Sequence, residues 1–219
     1  MFVVMLGAPG TGKGTVGKLL SEKLGLVHIS SGEIFRSYVK KYDNLGKEID
    51  KYISKGNLVP DELTIEIVKK RLAEPDVRNG AILDGFPRTE KQAMVLEDIL
   101  REKGTKVDIA VELDLSDEDI IERITKRRTC INKQCREIYN LDFKPPQKEN
   151  ICDKCGSELI IRDDDNEKTV KNRLENYHEI SDELINFYKN KDILYSVKLS
   201  NKSDKTSLDV AKEVEEYLK

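Results

Sequence analysis

An apolar run, Phe2–Leu6, passes without a break into a loop with glycine at 7, 10, 12 and 14 and lysine at 13. Helical spacing begins directly afterwards, with Val16, Leu19, Leu20 and Leu24 on one face. The run reads as a buried strand, so the loop joins a strand to a helix. Gly7-Ala8-Pro9-Gly10-Thr11-Gly12-Lys13-Gly14-Thr15 has glycine, four residues, then Gly-Lys, the spacing of a P-loop. Glycines let backbone N–H groups turn inward and approach phosphate oxygens with no Cβ in the way. The helix start adds partial positive charge, and Lys13 reaches the outer phosphates. Gly10, Thr11, Gly12, Lys13, Gly14 and Thr15 are therefore expected to hold a nucleoside triphosphate. Position 14 is glycine where the general pattern has a metal-binding hydroxyl, so Thr15 or another group must serve the metal.

The rest of the chain alternates in the same way. Leu26–Ile29, Ala81–Leu83, Val107–Leu113 and Ile193–Leu199 read as further short strands. Helical segments are expected at Asp61–Leu72, Thr89–Lys103, Ser116–Arg127, Asn166–Tyr188 and Thr206–Leu218. Alternation of this kind predicts an α/β fold, a five-stranded parallel sheet flanked by helices on both faces. Two stretches interrupt it. Ser30–Pro60 is too long for one crossover helix, and Arg128–Arg162 is rich in Cys, Pro, Asn and Asp. The expected division is a core of residues 1–29, 60–127 and 163–219, with insertions at 30–59 and 128–162.

Composition excludes some classes. The formal charge of −3 argues against a nucleic-acid binder, which normally carries a basic excess. No apolar run approaches the roughly 20 residues of a membrane span. Met1–Leu6 lacks the basic start of a signal peptide, so the expected compartment is the cytoplasm.

A second motif, Asp84-Gly85-Phe86-Pro87-Arg88, begins at the end of the third strand. Ligands of open parallel sheets gather at the carboxyl ends of strands, so this motif should face the P-loop. Asp84 is suited to hold Mg²⁺ through water, and Arg88 to clamp a phosphate bidentately. Together with Ser31-Gly32, Arg36, Leu58–Glu62, Arg123–Arg128, Arg162–Asp165 and Thr169–Arg173, these motifs resemble the adenylate kinases, within the nucleoside monophosphate kinases. The resemblance runs over nearly the whole chain and is weakest after Leu199.

That resemblance implies transfer of a phosphoryl group from Mg·ATP to AMP, giving two ADP, in a monomer. It implies that residues 30–59 bind AMP and that 128–162 form a lid. Ser31 would stand near the AMP base, although Ser30 with Glu33 also fits a helix-capping box. Gln92 would read the adenine edge, although Thr89-x-x-Gln92 is itself a capping box. Arg36, Gly85 and Arg88 would hold the AMP phosphate, and Leu58 and Val59 line its pocket. Arg123 would meet the ATP phosphates and Arg127 the transferred group; four apart, they share one face of a helix. Arg162 and Arg173 would close over both phosphate chains, oriented by Asp164 and Asp165. Tyr139, or the backbone beside it, would cover the ATP base. Neither His28 nor His178 falls in a motif, so both are expected to be structural or surface residues.

Cys130, Cys135, Cys152 and Cys155 all fall inside the second insertion. Two knuckles bridged by 16 residues match a zinc-ribbon layout, although the first has four intervening residues rather than two. Four thiolates leave no open position, so the ion is structural; iron fits the same sulfur set. An insertion this small cannot bury a core alone, and a metal supplies the missing stability. Two rival readings remain: a kinase for UMP or CMP, and an ATP-driven switch whose ribbon binds nucleic acid or protein.

Overall fold

Phe2–Leu6 forms strand β1, and its period of two sorts the core into halves. Phe2, Val4 and Leu6 face one buried cluster, while Val3 and Met5 face another. A computed structural model describes residues 1–202 and 205–218; Ser203, Asp204 and Lys219, within the expected core segment, lie outside the described residues.

The other core strands are β2 (Val27–Ser30), β3 (Ala81–Asp84), β4 (Ile109–Asp114) and, last in the chain, β8 (Leu194–Lys198). They pair in parallel in the order β2-β3-β1-β4-β8. Val4 sits opposite Leu83 on one side and Ala110 on the other, so β1 is central and buried on both faces. The predicted five-stranded parallel sheet is thus the observed one. Helices α1 (Lys13–Leu24) and α8 (Ser207–Tyr217) cover one face through Val16, Leu20, Val210 and Val214. Helices α4 (Asp61–Leu72), α5 (Glu90–Glu102) and α7 (Glu167–Lys189) cover the other through Val68, Leu96, Leu100 and Leu184. Among the described residues no helix is long and apolar enough to cross a membrane.

The first interruption folds into α2 (Ser31–Val39) and α3 (Asn44–Ile53), which share a small core of Phe35, Ile49, Val59 and Ile67 with α4. Ser30 occupies the N-cap of α2 but makes no side-chain capping bond, so the capping box read at Ser30–Glu33 does not form. Glu33 instead meets Arg136 of the second insertion, at 3.2 Å. The second interruption forms an antiparallel sheet of β5 (Arg127–Cys130), β6 (Ile138–Asn140) and β7 (Leu159–Ile160), in the order β6-β5-β7.

Here the helix expected over Ser116–Arg127 is corrected. Helix α6 spans Asp117–Thr125, capped by Ser116, and ends at Lys126. Arg127 already pairs with Asn140 across the small sheet. Arg123 and Arg127 therefore do not share a helix face. The pull of β6 on Arg127–Thr129 outweighs the helical charge spacing, which a strand start satisfies equally well.

Candidate active site

The P-loop leaves the carboxyl end of β1, and Asp84 ends the neighbouring β3, so both motifs open on the same edge of the sheet. A cleft of about 620 Å³ lies there, within the usual range for a small-molecule site. Of the residues singled out in the sequence, Gly12, Lys13, Gly14, Thr15, Arg36, Leu58, Asp84, Gly85, Arg88, Arg162 and Arg173 line it. A smaller adjoining cavity of about 50 Å³ is lined by Val59 and Gln92 with Arg36 and Arg88.

Two glycines explain the loop's close fit. Gly10 has φ 91°, and a Cβ there would lie 2.7 Å from the Ile124 side chain of α6. At Gly14 a Cβ would approach the Asp84 carboxylate to 3.2 Å, so glycine leaves the face between α1 and Asp84 clear. Thr11 is buried, and its hydroxyl donates to the Ala8 carbonyl at 3.0 Å. Gly10 and Thr11 therefore hold the loop in shape and do not line the cleft.

Lys13 bends back on its own loop, donating to the carbonyls of Gly7 and Ala8 at 2.6 and 2.7 Å. Burial pulls its ammonium down to about 7; Asp84 opposes this, while Arg88, Arg173 and Arg127 reinforce it. The arginines are steered by carboxylates and carbonyls. Arg127 makes a two-pronged pair with Asp165, whose side chain is fully buried. Asp164 lies 3.1 Å from Arg173 and 3.9 Å from Arg36, joining α7 to α2. Burial pushes the Asp164 carboxyl upward, but Arg173, Arg36, Arg127 and Arg162 together hold it below its ordinary value. Burial presses Arg162 and Arg173 down, to about 9 and about 10, so both stay charged at neutral pH. Arg162 is held by donation from Nε to the Thr129 hydroxyl at 3.0 Å.

Around Gly85 and Gln92 the side chains are already engaged with one another. Ser31, only 1% exposed, donates its hydroxyl to the Gly85 carbonyl at 2.6 Å, and Arg88 Nε donates to that same oxygen at 3.0 Å. Gln92 forms half of the expected capping box: its main-chain N–H donates to Thr89 Oγ1 at 3.1 Å. Its side chain reaches one residue further, accepting from the Arg88 N–H at 2.8 Å and donating to Asp61 at 2.6 Å. Gln92 thus couples Arg88 to the start of α4.

Two expectations shift. The Tyr139 ring is buried within the lid, where its hydroxyl accepts from the Asp153 N–H at 2.8 Å and lies 3.6 Å from Cys152 Sγ. The exposed aromatic near Arg123 is Phe143, with the guanidinium 5.8 Å from its ring. Neighbouring positions in this strand and turn differ only in which face they present, and no motif marks that. His178 pairs with Asp117 at the surface, as expected. His28, by contrast, lines the cleft and stands 3.8 Å from Asp84, its Nε2 making no hydrogen bond among the described residues.

The four cysteines are unpaired thiols whose sulfurs all lie within 4.8 Å of one another. Cys130 and Cys155 are 3.4 Å apart, Cys135 and Cys152 3.7 Å. Tetrahedral zinc with bonds of about 2.3 Å spaces its sulfurs by about 3.8 Å, so the cluster fits such an ion. The wide first knuckle closes on the same centre as the standard one.

Comparison with known proteins agrees with this layout. The sequence model of the adenylate kinase family matches residues 5–193. The chain is 50% identical over 194 residues to an adenylate kinase of Caldicellulosiruptor saccharolyticus, covering 89% of each. It is 48% identical over 212 residues to one of Ruminiclostridium cellulolyticum, covering 97% of this chain and 98% of that one. An adenylate kinase of Archaeoglobus fulgidus is 48% identical over 197 residues, 90% of each. On this match, and with four cysteines gathered in its lid, the chain belongs to the adenylate kinase family.

Proposed function

We propose that the chain catalyses Mg·ATP + AMP ⇌ 2 ADP, acting as a cytoplasmic monomer without nucleic-acid or membrane partners. The core is residues 1–29, 60–127 and 163–219, the AMP-binding insertion 30–59, and the zinc-binding lid 128–162. One observation carries this reading. The cleft that holds the P-loop also contains Arg36, Arg88, Arg162 and Arg173, so a second phosphate chain can lie in line with the first.

On the donor side, the N–H groups at the start of α1 receive the phosphates, and Lys13 leaves its own loop carbonyls for them. Asp84 and Thr15 are the residues that would hold Mg²⁺, which when bound neutralises donor oxygens and needs the oxygen ligands this edge provides. Arg123 approaches the donor phosphates, and Arg127, Arg162 and Arg173 surround the transferred group. On the acceptor side Arg36 and Arg88 clamp the AMP phosphate. Leu58, Val59 and Gln92 face the base, while Ser31 acts through Gly85.

Phosphoryl transfer through a loose transition state needs alignment and charge neutralisation above all. The AMP phosphate, with its second pKa near about 6, is already mostly dianionic at neutral pH. No side chain has to remove a proton. The adjoining cavity of about 50 Å³ has room for a few waters at most, so α2 and α3 must move outward to admit a base. Closure afterwards excludes water from a site that would otherwise hydrolyse ATP.

The test is to supply Mg·ATP with AMP, UMP, CMP or GMP in turn and measure the diphosphates formed. Fast turnover with AMP alone supports the proposal; turnover confined to another monophosphate overturns the choice of acceptor. Arg88→Ala should cut transfer by about a hundredfold or more, typical for a transition-state donor, with ATP binding little changed.

A further inference from the structure

Arg123 leaves α6 beside the start of α1: its Nη1 is 4.0 Å from where a Cβ on Gly12 would stand. Two acceptors fix it there. Nη1 donates to the Thr11 carbonyl at 3.2 Å, and Nε donates to Asn201 Oδ1 at 2.6 Å. Asn201 lies in the turn after β8, far from α6 in sequence.

The amide of Asn201 has no orientational freedom. Its Nδ2 donates to the Asp119 carbonyl at 3.1 Å and to Glu122 Oε2 at 2.8 Å, and its main-chain N–H donates to Asp119 Oδ2 at 3.0 Å. Both amide hydrogens are committed to acceptors, so Oδ1 must face the guanidinium. A flipped amide would set N–H against N–H on one side and oxygen against oxygen on the other. Asn201 therefore stands as a rigid acceptor built onto α6.

We infer that Asn201 is the positioning residue for Arg123, holding its guanidinium beside Gly12 at the donor end of the site. A guanidinium has five N–H donors, and the two bonds to Asn201 and Thr11 leave three for a ligand. The neutrality of the partner matters. Arg127 and Arg173 are steered by Asp165 and Asp164, which offset part of their charge. An amide oxygen orients Arg123 without an ion pair, and the carboxylate that acts on its charge, Asp119, is bonded to Asn201 instead.

The inference rests on the proposed role of Arg123, and a double-mutant cycle separates the two. Asn201→Ala should raise KM for ATP about tenfold, the lower range for a hydrogen bond to a charged group, and leave KM for AMP within about twofold. Asn201→Ser, which keeps the main-chain bond to Asp119 and a polar side chain too short to orient the guanidinium, should do the same if the alanine variant folds poorly. In an Arg123→Ala background the Asn201 substitution should have no further effect, because the group it positions is gone. A purely structural role would instead lower thermal stability and add to the Arg123 defect in full. Additive losses, or an unchanged KM for ATP in Asn201→Ala while Arg123→Ala raises it, would overturn the inference alone. If Arg123→Ala itself leaves ATP kinetics unchanged, the role of Arg123 fails and the inference with it.

Discussion

Glu137 of the lid accepts a hydrogen bond from Lys18 on α1 at 3.0 Å, and the adjacent Arg136 reaches Glu33 on α2 at 3.2 Å. Two consecutive residues, directly after Cys135, thus tie the lid to both walls of the cleft. The wide knuckle Cys130–Cys135 presents them there. Burial works against charge on Glu137, yet Lys144 and Lys18 hold its carboxyl below the usual value.

Glu137→Gln should therefore loosen the lid before any nucleotide binds. Lys18 is 37% exposed and Glu137 19%, so solvent and salt screen the pair. Such pairs contribute at most about 1 kcal/mol, which limits the shift toward open forms to about fivefold. A distance measured by fluorescence transfer between labels on lid and core reads this out. Raising salt should move the parent toward the variant. A distance distribution identical in parent and variant, at low salt and without nucleotide, refutes the latch.

Removal of the metal should act on the same element. The lid core consists of Cys130, Tyr139, Cys152 and Leu159 with Cys135 beside them, too little apolar surface to hold three short strands. Stripping the ion with a chelator, or Cys152→Ser, should lower the melting temperature and increase protease cleavage within residues 128–162. Equal melting points with and without bound metal would count against a structural ion.

Many residues that line the cleft were legible in the sequence because they fall in compact motifs. The P-loop and Asp84–Arg88 follow strands of the parallel sheet, and Arg162–Asp165 lies between β7 and α7, all at the edge where the cleft opens. What the sequence concealed depends on direction. Arg127 has helical spacing from Arg123, yet it starts a strand, and only pairing with Asn140 decides between the two. Tyr139 and Phe143 lie in the same strand-and-turn segment, and the burial of one ring beside the cysteines leaves the other for Arg123. Asn201 carries no motif, because it lies in a turn and its partners Asp119, Glu122 and Arg123 come from α6, far away in sequence.

Lys13 makes ATP binding sensitive to pH. In the free protein burial and the neighbouring arginines hold its ammonium down at about 7. A bound triphosphate replaces neutral carbonyls with anionic oxygens and must raise that value. Above pH 7 the free site is mostly neutral at Lys13, so binding has to take up a proton. Calorimetry at pH 8 in buffers of different ionisation enthalpy should show uptake of close to one proton per ATP. Between about 7 and the raised value in the complex, Kd should climb up to about tenfold per pH unit. Lys13→Met should abolish the uptake. Proton release at pH 8 would mean that another group controls the linkage.

Tyr188 offers a gain in stability away from the cleft. It is fully buried near the end of α7, packed edge-on against Phe187 within the cluster that carries β1 and α5. Its hydroxyl has no hydrogen-bond partner among the described residues. Burial, with Glu97 adding to it, drives the phenol far above its usual value, so the group is a neutral, unpaired dipole in an apolar setting. Tyr188→Phe removes that hydroxyl and keeps the ring. The loss of an unsatisfied buried group should stabilise the fold by about 1 kcal/mol. For a chain of this size that raises the melting temperature by roughly 2–4 °C. Activity should be unchanged, because Tyr188 lines neither cavity of the site. A lower melting temperature would mean that the hydroxyl is satisfied in solution, with a buried water as its partner.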